Sequence, residues 1–148
     1  MKRFILDTNI YIAADRDVAK AEELASFYSS FLPFTWLHAV VIQELLLGAE
    51  DGRRGSMIRA AYIKPFESRR RIITPSLADW VTSGEIVAQL VHLKILSPGG
   101  FGRSFLNDAL LAASCRSAGL TLVTNNVADF ECIQRIERFD FIQPWPPP

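Results

Sequence analysis

The stretch Phe4-Ile5-Leu6-Asp7-Thr8-Asn9 decides the fold. Three consecutive apolar residues leave no side for water, which is the pattern of a strand buried on both faces of a parallel sheet. Asp7 follows at once, at the C-terminal end of that strand. In an open α/β sheet this edge is where ligands bind. An Asp after a strand also caps the next helix, and the two roles are compatible.

Outward from this point, strands and helices alternate. Helical composition over 15–31 stops before Pro33, and Phe34 to Leu37 forms a second strand candidate. His38 to Ala49 reads as a helix with Gly48 near its end, and 53–67 as a weaker helix ended near Pro65. Arg71 to Thr74 is a brief strand. Ser76 with Asp79 three residues on is a capping-box pattern for a helix to about Ile95. The Ser97–Gly102 loop precedes a helix opened by Ser104 or Asn107 and stopped by Gly119, a residue suited to a left-handed C-cap. Leu120 to Thr124 is a clear strand, followed by a short helix near Val127 to Arg135 and a strand near Phe139 to Ile142. Pro146-Pro147-Pro148 can neither continue a helix nor pair in a sheet. The pattern predicts one α/β domain over 1–148 with a mostly parallel sheet.

Composition narrows the class. The chain has 148 residues, 49% hydrophobic and 22% charged, which excludes disorder. Sixteen basic residues balance sixteen acidic ones, so no global charge points to a nucleic-acid or membrane partner. Cys115 and Cys132 form no CxxC, so neither a disulfide framework nor a zinc set is expected. The apolar run after Met1-Lys2-Arg3 ends at Asp7, too soon for a signal peptide, and no stretch approaches the roughly 20 residues of a membrane span. A soluble cytoplasmic protein is expected.

Four carboxylates carry the chemistry. Glu44 has Val40, Val41, Leu47 and Gly48 as its helical neighbours, an apolar stripe where a carboxylate must be paired with an Arg or bound to metal. Asp108 stands in the first turn of its helix, and Asp129 follows the strand that ends at Thr124. Asp7 and Thr124 share the C-terminal edge of a parallel sheet. Carboxylates gathered there repel one another unless a cation sits among them. Oxygen donors without Cys or His suit Mg²⁺ or Mn²⁺. Such a cluster is a frame for metal-assisted phosphodiester hydrolysis.

Phe4 to Asn9, Glu44 within Val41-Ile42-Gln43-Glu44-Leu45, Asp108 within Asn107-Asp108-Ala109-Leu110-Leu111-Ala112, and Leu122 to Phe130 together resemble a PIN domain, most closely the VapC-type toxins of toxin–antitoxin pairs. The resemblance covers nearly the whole chain and implies a three-layer α/β/α fold. It implies a Mg²⁺- or Mn²⁺-dependent ribonuclease with Asp7, Glu44 and Asp108 as metal ligands and Asp129 completing the acid set, directly or through water. Many relatives place an acid two residues after the Thr, where this chain has Asn126, so the role of Asp129 stays open. Thr8 and Thr124 would orient acids or water, and Asn9 or Asn126 would hold substrate. A cognate antitoxin and a homodimer are implied as partners, with DNA reached only through the antitoxin.

Seven basic residues stand against one acid between Arg53 and Arg71, where a solvated helix face competes with an RNA-binding flank. Arg69, Arg70 and Arg71 are its candidate phosphate contacts, with Arg103 a separate one. His38 and His92 share no motif, so a histidine acid–base pair is not expected. Trp36, Trp80 and the phenylalanines read as core, and Cys115 as a small buried hydrophobe. The competing function is a catalytically silent module that binds RNA or protein.

Overall fold

The computed structural model describes residues 2–147; Met1 and Pro148, the end of the proline run, lie outside the described residues. Five short strands form one sheet: β1 (Phe4–Leu6), β2 (Thr35–His38), β3 (Ile72–Ile73), β4 (Thr121–Val123) and β5 (Phe141–Ile142). Every pairing is parallel, in the order β3-β2-β1-β4-β5. Phe4 lies opposite both Thr35 and Thr121, so the strand carrying Asp7 is central.

The pleat explains the unbroken apolar run of β1. Phe4 and Leu6 enter one core with Tyr11, Leu24, Phe27, Val41 and Phe66. Ile5 enters the other with Ile86, Leu90, Leu111, Leu122 and Phe130. Helices α1 (Thr8–Arg16), α2 (Val18–Phe31) and α3 (Ala39–Leu47) contribute to the first core. Helices α6 (Leu77–His92), α7 (Arg103–Ala118) and α8 (Val127–Gln134) contribute to the second. The expected three-layer α/β/α arrangement is what forms.

Several boundaries differ from the local sequence reading. Helix begins at Thr8, not Asp15, although Thr8-Asn9-Ile10-Tyr11-Ile12 has weak helical propensity. Asp7 caps it, and burial of Ile10, Tyr11 and Ala14 overrides propensity. The single helix expected over 15–31 is broken at Asp17, whose carboxylate accepts Ala19 N–H and caps α2. Pro65 does not end the middle segment. Helix α4 (Gly52–Ile58) runs into a π-helical turn (Arg59–Ile63), and the short α5 (Lys64–Glu67) carries Pro65 in its first turn. There a missing N–H costs nothing.

Helix α6 stops at His92, and α7 opens at Arg103 rather than Ser104 or Asn107. The capping box of Ser76 and Asp79 forms, and Gly119 takes φ 66°, the left-handed conformation that ends α7. Trp80, in the first turn of α6, is exposed, contrary to its reading as core. Cys115 is fully buried, and burial pushes its thiol up, which leaves it unreactive. Among the described residues no helix is long and apolar enough to cross a membrane.

Candidate active site

The backbone N–H of Asp7 donates to Val123 O at 2.9 Å, so the side chain stands where the β1–β4 ladder stops. Asp7 Oδ1 accepts the N–H of Thr8 at 2.8 Å, the cap of α1. Oδ2 accepts the Thr124 hydroxyl at 2.6 Å and Asn9 Nδ2 at 3.1 Å. Capping is therefore realised, and the same carboxylate belongs to the acid cluster. Burial raises the pKa of Asp7, and the charge of Glu44 adds to that; bonds from Thr124, Thr8 and Asn9 oppose it.

Helix α3 brings Glu44 beside α1, where Oε1 accepts the Thr8 hydroxyl at 2.7 Å. The first turns of α7 bring in Asp108, which is buried. Its Oδ2 accepts Asn126 Nδ2 at 3.1 Å, and the same amide nitrogen donates to Asp129 Oδ2 at 3.0 Å. Asn126 thus stands between two carboxylates and quiets their repulsion, a different post from the substrate contact expected of it. Asn9 is likewise engaged, with Asp7, with Thr124 Oγ1 at 3.3 Å and with the N–H of Asn125 at 3.3 Å. Thr8 and Thr124 each donate a hydroxyl to one of the acids, Glu44 and Asp7 respectively.

Asp108 reports the crowding. Its pKa is pushed up to about 8, first by burial and then by the charges of Asp7, Asp129 and Glu44. Among the described residues the ion pairs are Lys20–Glu23, Arg54–Asp15 and Arg116–Glu137, none of which involves the four acids. The buried arginine partner considered for Glu44 is absent from that set.

Among the described residues, no three His, Cys, Asp or Glu side chains converge closely enough to hold one ion as they stand. Carboxylates without a counter-ion repel, so a spread arrangement is what electrostatics gives before an ion arrives. The donor set itself, carboxylate oxygens steadied by hydroxyl and amide groups, fits a hard divalent cation.

The candidate arginines fare differently. Arg71 is half-buried, with its guanidinium donating to Leu32 O and lying 5.9 Å over the Phe66 ring. Arg69 donates to Pro65 O at 2.9 Å. Both precede β3 and help close the chain onto it, whereas the acids follow the C-terminal ends of their strands. One arm of the Arg71 guanidinium is thus bound to the fold, which weighs against its expected role as a phosphate contact. Arg71→Ala is expected to lower stability by about 1–2 kcal/mol through the lost charged hydrogen bond, with a urea melt as the check. Arg70, in a left-handed conformation (φ 54°), and Arg103 remain exposed.

A family model described as "PIN domain" matches residues 4–134. The chain belongs to the PIN-domain family. It is 28% identical over 141 residues to the "tRNA(fMet)-specific endonuclease VapC" of Shigella flexneri, covering 95% of this chain and 99% of that protein. It is 30% identical over 132 residues to "Ribonuclease VapC2" of Haemophilus influenzae, covering 88% of this chain and 92% of that protein. Among solved structures, DNA-bound VapBC from Salmonella typhimurium superposes with a TM-score of 0.69 at 25% identity, over 97% of this chain and 98% of that one. The PIN-domain match spans β1 through α8, so all four acids fall inside it.

One residue of this PIN domain escaped the sequence reading as anything but a solitary histidine. His38 is fully buried and caps α3. Its signal was position: it stands immediately before an apolar helix, where a side-chain acceptor for the first turn is required.

Proposed function

We propose that this PIN-domain chain is the ribonuclease toxin of a toxin–antitoxin pair, hydrolysing RNA phosphodiesters with Mg²⁺ or Mn²⁺ held by Asp7, Glu44 and Asp108, with Asp129 completing the set. The observation that carries the reading is that Asp108 feels the charges of Asp7, Asp129 and Glu44, brought from the end of β1 and from α3, α7 and α8, while none of the four acids has an ion-pair partner among the described residues. The names of the relatives support the substrate class and the antitoxin partner. A divalent ion at such oxygens supplies water activation and neutralises charge on the phosphate and leaving oxygen.

The chain's own residues prepare that chemistry. Thr124 and Asn9 hold Asp7 Oδ2, and Thr8 holds Glu44 Oε1, so both carboxylates are aimed before an ion binds. Burial keeps bulk water from screening Asp7 and Asp108, which strengthens their pull on a cation. Arg103, exposed in the first turn of α7 and five residues before Asp108, is the proposed contact to a flanking phosphate. In this reading the protein acts as a homodimer in the cytoplasm, and reaches DNA only through its antitoxin.

The direct test is cleavage of a mixed structured RNA pool by purified protein with Mg²⁺ or Mn²⁺ and with EDTA. Cutting is expected with either ion and is abolished by the chelator. Cutting that persists in EDTA removes the metal dependence and leaves a nuclease of another mechanism, whereas a folded and metal-loaded protein that never cuts removes the nuclease reading and favours a silent binding module. Arg103→Ala is expected to weaken RNA binding and to lower the slope of log affinity against log salt by about one. An unchanged slope returns Arg103 to a solvated role.

A further inference from the structure

His38 is screened from water between β2 and the two helices that carry Glu44 and Asp108. Its Nδ1 accepts the N–H of Val40 at 3.0 Å. A backbone N–H only donates, so Nδ1 bears no proton and the proton of the neutral ring lies on Nε2. Nε2 stands 2.8 Å from Ser114 Oγ, to which it therefore donates. Ser114 is itself buried, on the apolar face of α7. Glu44 lies six residues beyond His38 on α3, and Asp108 six residues before Ser114 on α7.

Capping alone does not call for this side chain. Ser, Thr, Asp and Asn cap a helix start without desolvating an imidazole. What the ring adds is reach: a rigid body bonded at one nitrogen to α3 and at the other to α7. The network continues beyond Ser114. Ser117 donates to Asp79 Oδ1 of α6 at 2.7 Å and to the Ser114 carbonyl at 3.2 Å.

We propose that His38 is a positioning residue for the acid site, setting the spacing between Glu44 and Asp108 and through it the site's affinity for a divalent ion. The proposal rests on the reading of the acids as an ion site given above. A partner bonded directly to a ligand contributes a factor of about 10–100 in metal affinity; His38 acts through the two helices that carry the ligands, and the lower end of that range is the expected size.

The test is Mn²⁺ binding to the purified chain by calorimetry, which does not depend on RNA cleavage. His38→Asn keeps an oxygen for Val40 N–H but is too short for Ser114. Ser114→Ala leaves the cap and removes the acceptor, and it carries the test if His38→Asn fails to fold. Val87→Ala, a core truncation on α6 outside this network, controls for lost stability, and Asp108→Asn marks loss of the site. Both network variants are expected to bind Mn²⁺ at least tenfold more weakly, while Val87→Ala binds as wild type does. Wild-type affinity in His38→Asn and Ser114→Ala, with Asp108→Asn silent, overturns the positioning role and leaves the ion site standing. Weakening that also appears in Val87→Ala overturns it as well, as a mere stability effect. No Mn²⁺ binding by the wild-type chain removes the ion site and this inference together.

Discussion

Asp108→Asn is expected to reduce RNA cleavage about a thousandfold while making the metal-free protein more stable at neutral and alkaline pH. The loss follows because an ion's contribution to such a reaction is several kcal/mol, and each 1.36 kcal/mol is a factor of ten. The gain follows from linkage. The Asp108 carboxyl titrates near 8 when folded and near 3.8 when free, so folding takes up a proton in that interval. Wild-type stability on this account is full below pH 4 and is lost as pH rises toward 8, by a total on the order of 6 kcal/mol. Asparagine has no proton to lose.

His38 works in the opposite sense. Burial lowers its pKa from 6.5 to about 4, so its contribution is full above pH 6.5 and is lost as pH falls toward 4, by about 3 kcal/mol. The variant should therefore lose stability on acidification, where the wild type, with the two effects opposed, changes less. Thermal melts in EDTA between pH 4 and pH 8 check both limbs. A wild type more stable than Asp108→Asn at pH 8 would show that the acids are not under mutual strain.

The second large effect lies behind the site. Phe130 of α8 is fully buried and meets Phe139 at 5.8 Å and Phe141 at 5.9 Å between ring centroids. It seats the helix that carries Asp129 and leans on β5, a strand of two residues at the sheet edge. Phe130→Ala is expected to lose about 3–5 kcal/mol, the usual range for removing a buried ring. Denaturant unfolding measures this directly. A loss under about 1 kcal/mol would mean that the pocket collapses onto the missing ring and that α8 is held from elsewhere. The PIN-domain match ends at Gln134, so the contact joins the matched region to the last strand.

Much of this was readable from the chain. An apolar run with no polar alternation requires cover on both faces, and that cover makes the layered parallel sheet, because Phe4 and Leu6 face one core and Ile5 the other. Asp7 at the end of β1, Asp129 in the first turn of α8, and Glu44 and Asp108 in the second turns of α3 and α7 (not the first turn expected of Asp108) stand toward one edge of the parallel sheet. For Asp7, Glu44, Asp108 and Asp129 the local pattern therefore carried the positions, and Asp108's raised pKa registers that they share one neighbourhood.

What local pattern could not settle were outcomes of competition between distant groups. Thr8 to Ile12 form a helix against their propensity because the first core buries Ile10 and Tyr11. Pro65 continues a helix because a π-helical turn precedes it. Arg71 looked like an RNA contact until Leu32 and Phe66, more than thirty residues away in one case, claimed its guanidinium.

The sequence by itself determined the buried parallel strand β1 and the acid that ends it, since both follow from neighbours in the chain, whereas the helix that starts at Thr8 did not. Only the tertiary structure decided that Asn126 lies between Asp108 and Asp129, and that His38 meets Ser114 across 76 positions. A hydrogen bond is made or missed within a few tenths of an ångström. That separation is set by how whole helices pack, which no local stretch of residues encodes.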